Sequence, residues 1–240
     1  MIDLRKGDCL EVMKTIEDNS ADAIITDPPY GTTACKWDSV IDFDLMWEQL
    51  NRIIKPNGAI VLFGSEPFSS ALRMSNIKNY KYDWIWEKSR KTGHLNAKKM
   101  PLMINENISV FYKKQPTYNP QGLINCNKIK KNTEGRKKAN IFGDTLKDEH
   151  LQTKTNYPTR IIKFANEHNV GKHPTQKPID LMEYLIKTYT NENETVLDFT
   201  MGSGTTMLAC ENLNRNGIGI EKDENYFKIA EQRLFNDRLL

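Results

Sequence analysis

Short apolar runs alternate with amphipathic segments near both ends of the chain. Six runs, either continuously apolar or alternating apolar with polar positions, predict strands: ADAIIT, AIVLFG, YKYDWIWEKS, NISVFYKK, TVLDFT and NGIGIEKD. Five segments with apolar positions at helical spacing predict helices: DFDLMWEQLNRII, EPFSSALRMSNI, TQKPIDLMEYLIKTYT, GTTMLACENLN and ENYFKIAEQRLFNDRL. We expect Pro-Asn-Gly to stop the first helix, and Thr175 and Pro178 to open the third. Strands that alternate with helices predict an α/β fold, with a mostly parallel sheet covered by helices on both faces.

The middle of the chain breaks this alternation. Residues 113–171 have no sustained period and are rich in Lys, Asn, Thr, Gly and Pro, so we expect an irregular insertion there. The predicted organisation is a discontinuous domain of residues 1–112 and 172–240, interrupted by this insertion.

Charge is distributed unevenly along the chain. Residues 81–173 contain 19 Lys and Arg against 8 Asp and Glu, whereas residues 1–80 contain 8 against 12 and residues 174–240 contain 7 against 11. Such a basic segment is either a solvated face or a surface that neutralises phosphates. Aromatic residues stand among its lysines, at Tyr118, Phe142 and Tyr157. Basic residues mixed with aromatics suit nucleic acid, through phosphate contacts and base stacking.

Several classes of protein are disfavoured by composition. No apolar run approaches the roughly 18 residues of a membrane span, and the first residues lack the apolar region of a signal peptide. The four cysteines are far apart in sequence and form no C-x-x-C pair, which argues against a zinc site and a disulfide scaffold. These features predict a cytoplasmic protein that needs no membrane and no metal.

TDPPY, at residues 26–30, follows the first buried run. Neither proline has an N–H to donate to a sheet, so the strand ends at Thr26 or Asp27. An acid and an aromatic ring are therefore held on a stiff corner at the carboxyl end of this strand.

A glycine turn follows a later strand. In LDFTMGSGTT, Gly202 and Gly204 separate a strand ending near Asp198 from a helix, and they permit a tight turn that a ligand can approach closely. Glu221 ends the next strand, 17 residues after Gly204, where an acid typically accepts hydrogen bonds from ribose hydroxyls. Each feature alone also fits an ordinary strand–helix connection or a surface acid, so their combination carries the prediction.

Taken together, these motifs resemble the amino-group DNA methyltransferases that use S-adenosylmethionine. DPPY resembles the catalytic motif, DFTMGSGTT the loop around the methionine part, GKHPTQKP the element just upstream of that loop, and GDCLEVM the segment beside the adenine. The catalytic motif precedes the cofactor loop, which is the order of the β group, and the middle segment resembles small phage-type members. One departure is Asp198-Phe199-Thr200, where many relatives have Asp-Pro-Phe.

The resemblance implies a fold, a methyl donor and a partner. The expected fold is the Rossmann-like methyltransferase fold with a seven-stranded sheet, and the insertion becomes a target-recognition region. The expected partner is double-stranded DNA. A homodimer, a cognate restriction endonuclease and a bacterial or phage origin are also compatible with the resemblance.

It also implies residue roles. Asp27 and the carbonyl of Pro28 would accept the hydrogens of an exocyclic amine on a flipped base, Pro29 would stiffen the corner, and Tyr30 would stack on the base. The remaining expected contacts are Asp8 and Cys9 along the adenine; Asp198, Gly202, Gly204 and Thr205 around the methionine part; Glu221 on the ribose; and His173, Gln176 and Lys177 near the carboxylate. Lys177 has the strongest physical case in the last group because it is a cation, whereas His173 is more readily a structural histidine.

Alternatives remain at three levels. Asp27 in the first motif position favours adenine N6 over cytosine N4, because a serine there is commoner in cytosine enzymes. RNA and protein-glutamine methyltransferases could share DPPY, but they usually place the cofactor loop first and lack a basic insert. A non-catalytic DNA-binding module with this fold is disfavoured because both motifs are intact.

Overall fold

A computed structural model describes residues 1–32, 38–131, 149–166 and 176–236. Its main feature is an eight-stranded sheet in the order β1-β10-β9-β2-β3-β5-β4-β8. In these four ranges the ten strands, including a separate pair, are β1 Ile2–Lys6, β2 Ala21–Thr26, β3 Ile54–Gly64, β4 Tyr80–Thr92, β5 Met103–Phe111, β6 Ile124–Lys131, β7 Glu149–Thr155, β8 Ile161–Phe164, β9 Thr195–Asp198 and β10 Asn216–Glu221.

Strand directions place most carboxyl ends of the eight-stranded sheet at one edge. The strands from β1 to β3 in the sheet order are parallel, β5 is antiparallel to β3, and β4 is antiparallel to β5. All strands of this sheet except β5 therefore end at the same edge: β1, β2, β3, β4, β8, β9 and β10. This confirms the predicted α/β architecture with a mostly parallel sheet.

The sheet has one strand more than the seven expected. The added strand is β8, which pairs in parallel with β4 from Ile85↔Ile161 to Lys88↔Phe164. The sequence interpretation had assigned this short segment to the irregular insertion, because four residues are too few to show a period.

Within the described residues, six α-helices connect the strands. They are α1 Cys9–Met13, α2 Phe43–Ile53, α3 Phe68–Ser75, α4 Ile179–Tyr189, α5 Thr205–Asn212 and α6 Glu224–Glu231, the last followed by a π-helical turn, Gln232–Asn236. Pro178 occupies the position before α4, as expected, whereas Thr175 lies outside the described residues. Helix α2 passes directly into β3, so Pro56 lies within a strand instead of stopping the helix. The β2–β3 pairing is interrupted there, and such an irregularity tolerates a proline.

The central strands are buried on both faces. Along β2, Ala23 and Ile25 face a core that includes Leu185 of α4, whereas Ile24 faces a second core that includes Leu50 of α2. Burial on both faces explains why these strands are continuously apolar in sequence. Phe199, at the point where the motif departs from many relatives, is buried in the second core.

Pro120–Thr159 forms a separate compact unit. Strands β6 and β7 pair antiparallel in it, from Ile124↔Thr155 to Lys131↔Glu149. The insertion was expected to be irregular, so this ribbon corrects the expectation. Its apolar–polar alternation is weak, because lysine and asparagine occupy most positions of INCNKIKK. Among the described helices, none is long and apolar enough to cross a membrane.

Candidate active site

The acid of TDPPY lies at the carboxyl end of β2 between a hydroxyl and an ammonium group. Oδ1 of Asp27 accepts a hydrogen bond from the Tyr30 hydroxyl, and Oδ2 pairs with Nζ of Lys177. Lys177 immediately precedes Pro178 and α4, and its side chain is only 9% exposed. The structure therefore brings together three predicted site residues, and it places Lys177 on the proposed catalytic acid.

Lys177 also connects Asp27 to a second buried carboxylate. Its Nζ lies 3.3 Å from Oε2 of Glu106 on β5, and Oε1 of Glu106 pairs with Lys88 on β4. Four charges thus alternate in sign along a line from Lys88 through Glu106 and Lys177 to Asp27. The Lys177 ammonium also lies 5.1 Å from the ring centre of Phe63, a cation–π contact that helps to hold it.

Burial and pairing shift the pKa values of these groups. Burial raises the pKa of Asp27, and the Glu106 carboxylate adds to this rise against the opposing effect of Lys177. Burial alone would lower the pKa of Lys177, but Asp27 and Glu106 hold it above its ordinary value. Burial would raise the pKa of Glu106, but Lys177 and Lys88 keep it low. Lys177 and Glu106 therefore stay charged near neutral pH.

The ring of Tyr30 is fixed from one side. It stacks on Phe68 of α3, with ring centres 5.1 Å apart and planes inclined by 29°. Burial and the adjacent Asp27 raise the pKa of Tyr30 well above its ordinary value, so its hydroxyl stays protonated and donates. The following backbone is held as well, because the N–H groups of Gly31 and Thr32 donate to Asp38 at 2.8 and 2.9 Å.

Asp198 links the glycine turn to the TDPPY corner. It is 3% exposed, and it accepts hydrogen bonds from the hydroxyls of Thr26 and Thr206 at 2.5 Å and from the N–H of Thr200 at 3.1 Å. The Thr200 hydroxyl donates in turn to the carbonyl of Asp27 at 3.1 Å. Burial raises the pKa of Asp198 to about 6. The two motifs, far apart in sequence, therefore share one hydrogen-bond network.

The turn after β9 needs its glycines. Gly202 and Gly204 have φ angles of 53° and 78°, in the left-handed region that favours glycine. A Cβ on Gly204 would also lie 2.9 Å from the Cβ of Ala230 on α6. Gly204 precedes α5, whose first-turn N–H groups have no partner within the helix.

Glu221, the last residue of β10, lies beside this turn. Its Oε2 accepts from the N–H of Gly202 at 2.9 Å, and its Oε1 accepts from the N–H of Asp223 at 2.7 Å. A carboxylate has about four acceptor positions, so these two bonds leave capacity for two hydroxyls. Burial raises the pKa of Glu221.

Asp8 and Cys9, the residues predicted to lie along the adenine, follow the carboxyl end of β1. Asp8 caps α1 by accepting from the N–H of Leu10 at 3.0 Å, and it pairs with Lys222 at 3.0 Å. Cys9 is half-buried, and burial raises the pKa of its thiol to about 11, so the thiol stays neutral. Its sulfur is therefore an apolar surface rather than a nucleophile at neutral pH.

Arg233 is a site residue that the sequence interpretation missed. Its Nη1 donates to the carbonyl of Ser203 at 2.6 Å and to the hydroxyl of Thr205 at 3.2 Å. The Ser203 hydroxyl donates in turn to Gln176 at 3.1 Å. Nothing in the closing helix distinguished this arginine, and no local pattern marked Glu106 or Lys88, which lie on partly exposed parts of β5 and β4. His173 lies outside the described residues.

A metal has no evident place in the described part of the chain. No group of three or more His, Cys, Asp and Glu residues there could hold one.

The chain is similar to known proteins in sequence and in fold. A profile of the family described as DNA methylase, N6_N4_Mtase, matches residues 21–232. The Type II methyltransferase M.HpaI of Haemophilus parainfluenzae is 30% identical over 247 residues, covering 95% of this chain and 72% of that protein. The crystal structure of the M1.HpyAVI–SAM complex has 30% sequence identity and a TM-score of 0.66, covering 98% of this chain and 100% of that chain. PvuII DNA methyltransferase, described as cytosine-N4-specific, has a TM-score of 0.71 over 98% of this chain and 86% of its own, but 16% identity shows a shared fold alone.

Proposed function

The chain belongs to the N6/N4 DNA methylase family, and we propose that it transfers a methyl group from S-adenosylmethionine to N6 of adenine in duplex DNA. The observation that carries this proposal is the Asp27 carboxylate, fixed at a strand end by Tyr30 and Lys177. Fixed acceptors are what an exocyclic amine requires, because its lone pair is delocalised into the base.

The glycine turn and Glu221 fit the methyl donor. Glu221 retains acceptor capacity for ribose hydroxyls, and the first turn of α5 offers N–H groups next to a backbone that Gly204 leaves open. Asp8 and the neutral thiol of Cys9 would border the adenine, and Gln176 would lie near the amino-acid part. When bound, S-adenosylmethionine supplies an electrophilic methyl group on its sulfonium.

Asp27 would prepare the amine for reaction. Two of its acceptor positions are taken by Tyr30 and Lys177, which leaves others for an N–H of the base. The carbonyl of Pro28 would accept the second N–H, and the two acceptors together would restore lone-pair character at the nitrogen. Pro29 keeps this corner stiff, so both acceptors stay aimed. Direct transfer then needs no covalent enzyme intermediate.

The target base would have to leave the duplex to reach Asp27. Flipping costs a few kcal/mol. Stacking of the flipped base on the ring of Tyr30, which Phe68 already supports, would offset part of this cost.

The loop between β4 and β5 suits DNA contact near this site. Strand β4 ends at the same sheet edge as β2, so residues 93–102 lie at the edge that holds Asp27. Lys98 and Lys99 are exposed in this loop, and Leu95 is fully exposed beside them. Exposed cations at this edge suit phosphate contacts. For the separate unit of Pro120–Thr159, a role in target recognition stays a proposal that rests on its lysines and aromatics.

Cytosine N4 is the alternative target, because both amines make the same demand on Asp27. Incubation with labelled S-adenosylmethionine and unmethylated duplex DNA, followed by digestion and chromatography, separates the two methylated nucleosides. We expect N6-methyladenine. N4-methylcytosine would show that cytosine is the target, whereas label on RNA or protein but not on DNA would overturn the proposal. A non-catalytic binding module would bind DNA and transfer nothing.

Assembly and location stay predictions. A homodimer is expected to elute at twice the chain mass of 27.8 kDa in size-exclusion chromatography. A cognate restriction endonuclease would be recognised by its failure to cut DNA that this protein has methylated. A cytoplasmic location is testable by fractionation of the host cell.

A further inference from the structure

Glu106 is not used by the mechanism above, although it lies one ion pair away from Asp27. Its Oε2 is buried and makes no hydrogen bond within the described part of the chain, and its ion-pair partner there is Lys177 Nζ at 3.3 Å. Its Oε1 is held by Lys88, so the carboxylate is fixed in direction. A buried carboxylate oxygen left without a hydrogen bond is costly and calls for an explanation.

The position of Lys177 on Asp27 is unfavourable for methyl transfer. While it pairs with Asp27, it keeps a positive charge next to the acceptor of the target amine. Positive charge also builds on the amine nitrogen during methyl transfer, so an ammonium on Asp27 opposes the reaction in its low-dielectric surroundings.

We propose that Glu106 is a positioning residue for methyl transfer, which receives Lys177 from Asp27 when the target amine engages Asp27. This inference rests on the proposed function. Nζ of Lys177 already lies between the two carboxylates, so a small movement exchanges a hydrogen bond to Asp27 for one to Oε2 of Glu106. The buried oxygen thereby exchanges a 3.3 Å ion pair for a hydrogen bond, and Oδ2 of Asp27 becomes available to the amine.

The balance of buried charges favours movement of Lys177 between the two carboxylates over its departure from the site. The four side chains Lys88, Glu106, Lys177 and Asp27 balance to zero, and each is at most about a quarter exposed. Moving Lys177 between two carboxylates keeps that balance, whereas expelling it would leave a buried charge unpaired. Tyr30 does not move in this exchange, because it bonds the other oxygen of Asp27.

The central test is Glu106→Gln, which keeps the size of the side chain and removes its charge. Lys177 then has Asp27 as its remaining carboxylate in the described part of the chain, and it yields that position less readily. We expect single-turnover methyl transfer to fall by about tenfold to a hundredfold, with affinity for S-adenosylmethionine unchanged. Glu106→Asp should recover part of the rate. Glu87→Gln is the matched control, because it breaks a peripheral ion pair with Lys163 on neighbouring strands and should leave the rate unchanged.

A pH profile separates positioning from support of the fold. The charged or titratable groups that face Asp27 are Tyr30, Lys177, Glu106 and Asp198, and of these Glu106 is removed by the substitution. Since the Glu106 charge raises the pKa of Asp27, Glu106→Gln should move the acidic limb of the rate profile to lower pH. A purely structural loss would lower the plateau and leave the limb in place.

A double-mutant cycle with Lys177→Met tests whether Glu106 affects the transfer rate through Lys177. If Glu106 acts through Lys177, Glu106→Gln causes little further loss in the Lys177→Met background. An unchanged rate in Glu106→Gln, or the same fractional loss in both backgrounds, overturns the inference while wild-type activity upholds the proposed function. Wild-type protein that methylates no DNA overturns both. Should Glu106→Gln not fold, Glu106→Asp decides, since a wild-type rate there also overturns the inference.

Discussion

The two carboxylates at the centre of the site, Asp27 and Asp198, are satisfied in different ways. Asp27 is paired with the cation of a long side chain, Lys177, and with a phenol. Asp198 is held by two threonine hydroxyls and a backbone N–H, all of them short and neutral donors. A long charged side chain can reach a second partner, whereas the short donors of Asp198 are held by a strand end, a turn and a helix start and have little freedom to do so. One acid is therefore arranged for reaction and the other for support of the turn.

The largest effect should come from removing the reactive acid. Asp27→Ala should lower methyl transfer by about 10³-fold, because a preorganised acceptor is lost, while binding of S-adenosylmethionine survives. Asp22→Asn is the matched control at the opposite end of the same strand, where Asp22 pairs with Lys55 at 2.7 Å. The measurement is a single-turnover rate for both variants. Near-normal activity in Asp27→Ala would contradict the assigned mechanism.

Substitution of the supporting acid should instead cost stability. The groups around residue 198 are hydrogen-bond donors, so the amide N–H groups of an asparagine there would lack acceptors. Asp198→Asn should therefore lower the free energy of unfolding by about 1–3 kcal/mol near neutral pH. Urea denaturation measures this loss. A variant with wild-type stability would show that the network around Asp198 is not a support.

The pH dependence of that loss is a further check. Burial raises the pKa of Asp198 from 3.8 to about 6, so the native protein binds this proton more tightly than the unfolded chain. The contribution of Asp198 to stability is therefore fully present below pH about 4, falls as the pH rises to about 6, and is constant above. The stability gap between wild type and Asp198→Asn should shrink across this window. A gap that widens with pH would contradict the assignment.

The surroundings of Asp198 could be predicted from the sequence better than the surroundings of Asp27. The strand before Asp198, the glycine turn and Glu221 follow local rules of strands, turns and helix starts, so their residues could be named. The contact of Asp27 with Tyr30 is local, but the ion pairs that continue from Lys177 to Glu106 and Lys88 depend on strand order, which places β5 beside β3 and β4 beside β5. Lys177 was identified as a cation for the site, but its pairing with Asp27 and Glu106 could not be read locally. Arg233 left no signal for the same reason.

The turn itself offers a smaller and cleaner comparison. Gly204→Ala places a methyl group in the left-handed region, which costs about 1–2 kcal/mol, and against Ala230, 2.9 Å away. Gly93→Ala is the matched control, because its φ is 89° but nothing lies within 4 Å of the added atom. Both should lower stability, and Gly204→Ala should lose more and also bind S-adenosylmethionine more weakly. Equal losses in both variants would show that the contact with Ala230 relaxes freely.

The smallest expected effect concerns the loop of residues 93–102, which extends the reactive side of the site. If Lys98 and Lys99 contact phosphates, replacing each by Gln should reduce the slope of log affinity against log salt by about 1. Lys78→Gln is the control, because Lys78 is exposed before β4, at the opposite edge of the sheet. Fluorescence anisotropy with labelled duplex over a salt series measures the slopes. Equal slopes for Lys98→Gln and Lys78→Gln would mean that the loop is only a solvated face, and that DNA is held elsewhere, with the lysines of the Pro120–Thr159 unit as the next to replace.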